Sequence, residues 1–127
     1  MSIRSKESEM KYLMLLYGAE DVGPQPGTPE HAAEMQEWFA ITNEMAEAGI
    51  MAGGEALHEA ATATTIRVRD GATQVTDGPF AETKEVLGGF FVIDVENLDE
   101  ATKWAEKIPS VPYGSVEIRP VMVFDEE

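Results

Sequence analysis

The run Asp77-Gly78-Pro79-Phe80 closes an apolar, strand-like segment and precedes the charged stretch Glu82-Thr83-Lys84-Glu85. A carboxylate placed there has two roles open to it. Asp before Gly is a turn former whose side chain accepts hydrogen bonds from nearby backbone amides. Beside aromatic rings and partly desolvated, the same group has its pKa raised toward that of a useful general acid or base. The two roles are compatible, and Asp77 is the first candidate catalytic residue. Glu82, Lys84 and Glu85 read as a solvated turn.

Few other side chains offer chemistry. Of the two histidines, His31 falls in the first turn of a predicted helix, where the positive end of the dipole favours the neutral ring. It reads as solvent-exposed, and so does His58, three residues after Glu55. Tyr12 and Tyr17 lie on a predicted strand and could offer hydroxyls to a pocket. With Glu55 and Phe80 they make up the expected ligand contacts. The chain has no cysteine, which excludes disulfides, thiolate metal sites and a Cys nucleophile. It contains no HExxH, acidic calcium loop or histidine cluster, so neither a metal nor a cofactor is expected. Gly53-Gly54 and Gly88-Gly89 are pairs within strands rather than a phosphate-binding loop, and no GxSxG elbow is present.

The formal net charge of −15, from 24 acidic and 9 basic residues, repels phosphate backbones. No basic patch offsets it, and nucleic acid is not an expected partner. No apolar run reaches the roughly 18 residues of a membrane span. The N-terminal MSIRSKESE lacks the apolar core of a signal peptide. A cytoplasmic location is expected, with a polar tail over residues 1–9 and one domain over 10–127.

The elements that must position these residues follow from periodicity. MKYLMLLY (10–17) alternates two apolar faces, Tyr12, Met14 and Leu16 against Leu13, Leu15 and Tyr17, as in a central strand. A loop rich in Gly and Pro over 18–28 is long enough to be functional. Thr28 and Pro29 then start a helix running to about Ala48, with Gly49 as its stop. Its inward stripe is predicted as Met35, Trp38, Phe39, Thr42, Met45 and Ala46. Glu30, Glu34, Glu37 and Glu44 share a solvated acidic face. Residues 50–57 read as a strand whose paired glycines mark a bulge or a close backbone approach.

TTIRVR (64–69), Asp70-Gly71 and ATQVT form a hairpin. VLGGFFVIDV (86–95) is a second central strand, with Phe90 and Val92 facing away from Phe91, Ile93 and Val95. Asn97 caps a helix that buries Ala101, Trp104, Ala105 and Ile108. SVEIRPVMVF (115–124) is an edge strand, because Pro120 cannot donate to a ladder. The order gives an α+β, ferredoxin-like (βαβ)2 fold, with a four-stranded antiparallel sheet, two helices on one face and an extra hairpin.

Two helices cover one side of such a sheet, yet both sides carry large apolar residues. A second copy is the expected cover, making a two-fold homodimer with room for a small, partly apolar ligand between the sheet and its neighbours.

VTDGPFAETKEVLGGFFVIDV, followed by NLDEATKWAEKIP and GSVEIRPV, resembles the YCII-related proteins, specifically the Asp-Gly-Pro-Phe (DGPF) subgroup, over roughly residues 10–124. The resemblance implies a dimeric α/β barrel of ferredoxin-like chains. Better-studied relatives include an enzyme that removes chloride from a chlorinated hydroxyquinol, with a His–Asp pair proposed as the active site. The family's helical histidine falls near Glu37 here, which makes Glu37 the candidate partner of Asp77. Paired carboxylates divide acid and base duties when their environments differ. The expectation is a small cofactor-independent enzyme doing proton transfer or elimination on an oxygenated or aromatic compound. The alternative is a non-catalytic ligand-binding or regulatory dimer, associated with stress or a sigma factor.

Overall fold

The computed structural model describes residues 10–81 and 83–124. The tail expected over residues 1–9, Glu82 of the expected turn and residues 125–127 at the end of the expected domain lie outside the described residues. The elements follow in the order β1 (Met10–Gly18), α1 (Pro29–Glu47), β2 (Met51–Ala56), β3 (Thr64–Arg69), β4 (Ala72–Asp77), β5 (Val86–Val95), α2 (Leu98–Ala105) and β6 (Ser115–Pro120). One turn of 3-10 helix, Ala60–Thr62, separates β2 from β3. The four-stranded sheet has the order β2-β5-β1-β6, and β3 pairs with β4 in a separate two-stranded sheet. All pairings are antiparallel. The result is an α+β chain whose topology fits a ferredoxin-like fold, with the hairpin inserted between β2 and β5.

Capping accounts for where the helices begin. The Thr28 hydroxyl accepts from the His31 amide at 3.1 Å, and Pro29 occupies a position whose N–H would have no partner in the helix. Asn97 accepts from the Glu100 amide at 2.9 Å. Gly49 follows the last turn of α1 with φ +74°, as a helix stop requires. In the hairpin turn, Asp70 and Gly71 both have positive φ, matching the twist that joins two-residue connections.

The core forms between one face of the sheet and the two helices. Tyr12, Met14 and Leu16 of β1 meet Ile93 and Val95 of β5, Ile41 and Met45 of α1, and Ala101, Ala105 and Ile108 of α2 and the turn after it. Met14, Met45, Ile93 and Ile108 have essentially no exposed surface, and each such side chain is worth roughly 1.5–3 kcal/mol of burial. The Lys107 ammonium joins the helices from outside, pairing with Glu44 at 2.6 Å and lying 4.8 Å from the centre of the Trp104 ring. On the opposite face Leu13, Leu15, Phe90 and Val92 are half-buried, and among the described residues neither helix lies over them. The hairpin does not cover them with its apolar side chains either, since Ile66, Val68 and Val75 each remain more than half exposed.

Two expectations need correction. The inward line of α1 is Glu34, Trp38, Ile41 and Met45, rotated from the predicted stripe. Ile41 is buried, whereas Phe39 is 58% exposed and Ala46 is exposed. A helix advances 100° per residue, so a small rotation brings Ile41 into the core and leaves Phe39 exposed, while Trp38 and Met45 keep the inward place predicted for them. It also moves Glu34 out of the solvated acidic face and toward the core. β6 stops at Pro120 rather than running to Phe124, and lies at the sheet edge as expected.

Candidate functional site

Between α1 and the β2–β5 side of the sheet lies a cleft of about 850 Å³. Trp38, Phe39 and Thr42 form its helical wall, and Phe91, Gly54 and Ala56 belong to the strands beneath. The space exists because these strands carry little there. A Cβ on Gly54 would come 2.9 Å from the Phe91 ring, closer than real Cβ atoms approach. The paired glycines therefore mark a close approach, accompanied by a register shift between Met51 and Gly53. A second shift falls between Leu16 and Tyr17, where β1 borders the cleft.

Polar groups gather at the rim. Glu55, His58 and Glu59 line the cleft at and beyond the end of β2, and Glu20 lines it from the loop after β1. The Glu20 carboxylate accepts a hydrogen bond from the Ala60 amide at 2.7 Å, tying that loop to the segment after β2. Gln25 and Pro26 of the same loop also line the cleft. The long Gly/Pro-rich stretch thus serves as a wall.

Trp38 is held from behind. Its indole N–H donates to Glu34 at 2.9 Å, and the Tyr113 hydroxyl donates to the two oxygens of the same carboxylate at 2.6 and 2.8 Å. Burial, then the hydrogen bond to Glu34 and the negative charges of Glu34 and Glu37, push the Tyr113 phenol well above the usual tyrosine range. A half-buried carboxylate on the inward line of a helix needs donors, and these two side chains supply them. The indole N–H is thereby occupied and its orientation fixed.

The expected site residues divide. Tyr17 and Glu55 line the cleft. Tyr12 is 5% exposed within the core, and its hydroxyl donates to the Met10 sulfur at 3.6 Å. Glu37 is exposed on α1, and Asp77 is exposed at the end of β4, opposite Thr64. Phe80 is 76% exposed just beyond. None of these four lines the cleft. The desolvation anticipated for Asp77 is absent in a single copy of the chain, because every residue of β4 is exposed. Among the described residues no hydrogen bond reaches its carboxylate. The turn is organised instead by Gly78, whose φ is +96°. Its amide donates to Ala63 at 2.6 Å, and its carbonyl accepts from the Thr65 hydroxyl at 2.8 Å.

Trp38 packs against the core as expected, whereas Phe39, expected beside it, is exposed and lines the cleft. Glu34, expected in solvent, is half-buried, and Tyr113 was not among the expected site residues. The four-residue spacing of Glu34 and Trp38 was the available signal for their contact. Nothing local announces Tyr113, which lies 79 positions from Glu34. Read as a surface residue, His58 is exposed and borders the cleft. Among the described residues no group of three His, Cys, Asp or Glu side chains could hold a metal ion, and no helix is long and apolar enough to cross a membrane.

A ferredoxin-like α+β chain with a cleft between its first helix and its sheet is the class that fold and site define. The chain belongs to the YCII-related domain family, whose model matches residues 10–125. It is also similar to an uncharacterized protein of Rhizobium meliloti (strain 1021), with 37% identity over 117 residues, covering 91% of this chain and 94% of that one.

Proposed function

We propose that this protein binds a small, flat, largely apolar molecule in the cleft between α1 and the β2–β5 side of the sheet. The observation that carries the reading is the cleft itself, about 850 Å³ in volume and walled by Trp38, Phe39 and Phe91 with polar groups at its rim. That size and chemistry match small-molecule sites generally. The ligand-binding reading leads over the proton-transfer one because Asp77 and Glu37, the proposed acid and base, lie outside the lining. His58 and Glu55 within it are what favour proton transfer as a second reading.

The working form is a homodimer of the α/β-barrel type, in the Asp-Gly-Pro-Phe subgroup on the strength of residues 77–80. Support for the dimer comes from Leu13, Leu15, Phe90 and Val92, which share a sheet face with no helix over it among the described residues. A second copy seated there would bury about 1,200 Å² or more in total. Sedimentation at micromolar concentration is expected to give twice the chain mass, and Leu15→Glu to give monomer. A monomeric wild type would refute the assembly.

The cleft is tested separately by titrating 15N-labelled protein with benzyl alcohol. Saturable shifts are expected at the Gly54 and Gly89 amides and the Trp38 indole N–H. Shifts confined to Leu13, Leu15 and Val92, or none at all, would overturn the assignment.

A further inference from the structure

The ionisable groups around the cleft are unevenly chosen. Glu20, Glu55 and Glu59 line it, and among the described residues His58 is the one potential cation in the lining, which includes no lysine or arginine. The chain as a whole carries a formal charge of −15. An anionic ligand would therefore meet repulsion from the rim and from the protein's overall field, with no guanidinium or ammonium among the described lining residues to receive it. The inner wall has the complementary character for the opposite charge. Aromatic faces attract cations through their ring quadrupoles, Trp most strongly. The Trp38 N–H is already engaged by Glu34 at 2.9 Å, which holds the ring in one orientation and leaves the N–H no role in receiving an acceptor from the ligand. Phe39 is 58% exposed despite its size, as a ring serving a binding wall would be.

We infer that the cleft takes an organic cation: a planar or aromatic body against Trp38 and Phe39, with an ammonium-type group directed to the carboxylates of Glu55 and Glu59. This rests on the cleft reading above and goes beyond it by fixing the ligand's charge class. Glu34 is a positioning residue in this scheme, acting on the ligand through Trp38.

Three probes of similar size separate the possibilities: benzyltrimethylammonium, benzyl alcohol and phenylacetate, titrated by the 15N shifts of Gly54 and Gly89. The cation is expected to bind roughly tenfold more tightly than phenylacetate, the scale of one modest cation–aromatic contact, with benzyl alcohol between them. In the double variant Glu55→Gln, Glu59→Gln the ratio of cation to alcohol affinity is expected to fall toward one, and raised salt should lower it in wild type. Trp38→Phe is expected to reduce the ratio less than Trp38→Leu, a graded result that general destabilisation would not give. If benzyl alcohol binds in the cleft and the cation binds no better, the charge assignment is wrong and the cleft reading survives. If none of the three shifts these amides, both fail.

Discussion

The Tyr113 hydroxyl donates to both oxygens of the Glu34 carboxylate, at 2.6 and 2.8 Å, and so joins the loop before β6 to the second turn of α1. Hydrogen bonds to charged groups contribute about 1.5–3 kcal/mol each. Tyr113→Phe should therefore destabilise the fold by about 1–3 kcal/mol in urea denaturation, since Trp38 still donates to Glu34. The pH dependence has a definite sign. Tyr113 is held protonated in the folded chain, above its unfolded value near 10. Its contribution is fully present below about pH 10 and is lost as pH rises through the folded pKa. Wild type should lose stability more steeply than Tyr113→Phe above about pH 10. Parallel curves would mean that the pair contributes nothing.

Tyr113 also supports the cleft through Gly23. This glycine has φ +90°, and a Cβ on it would lie 2.5 Å from the Tyr113 ring, whereas Gly27, at φ +88°, has open space. Both Gly→Ala changes carry the left-handed backbone cost of about 1–2 kcal/mol, but only Gly23→Ala adds a clash. Gly23→Ala should cost at least about 1 kcal/mol more than Gly27→Ala by thermal denaturation. That excess should vanish when Tyr113→Ala is combined with it, the signature of a direct contact in a double-mutant cycle. An excess that survives in the double variant would place its origin elsewhere.

Much of the fold was legible because it rests on short-range rules. Alternation in MKYLMLLY and VLGGFFVIDV assigned each side chain to its face, Thr28 and Asn97 marked helix starts, and Pro120 marked an edge. The rotation of α1 was harder, because Met35 and Phe39 are as apolar as Ile41 and lie on a neighbouring face of the same helix. A stripe chosen by hydrophobicity cannot tell a core ring from one lining a cleft. The candidate site was legible only where strand ends form it, at Tyr17 and Glu55. Glu34 and Tyr113 come together through packing across 79 positions, for which no local pattern exists. Asp77 drew attention by its motif, and its position depends on a hairpin whose placement no periodicity specifies.

The rotation of α1 makes a prediction of its own. Ile41 is 5% exposed and belongs to the core, whereas Phe39 is 58% exposed. Ile41→Ala should cost about 2–5 kcal/mol, the usual range for emptying a packed site. Phe39→Ala, although it removes a larger side chain, should cost under about 1 kcal/mol and weaken benzyl alcohol binding. Urea midpoints measured side by side decide it, and the reverse order would restore the stripe that hydrophobicity alone suggests.

At the Asp-Gly-Pro-Phe turn, the conformation belongs to Gly78 rather than to Asp77. Gly78 has φ +96° with nothing near its would-be Cβ, so Gly78→Ala carries the backbone penalty alone, about 1–2 kcal/mol. Asp77 is exposed, and among the described residues its carboxylate accepts no hydrogen bond, so Asp77→Asn should change stability by less than about 0.5 kcal/mol. A turn-forming role would show instead as a melting temperature lowered by Asp77→Asn as much as by Gly78→Ala. A role in proton transfer would leave stability untouched and reduce turnover of a substrate at least ~100-fold, the lower bound for general acid–base catalysis. For an exposed carboxylate, that second outcome would also require a second copy, as in the proposed dimer, to enclose it. Leu15→Glu should then lower turnover by itself, and adding Asp77→Asn to it should lower turnover no further.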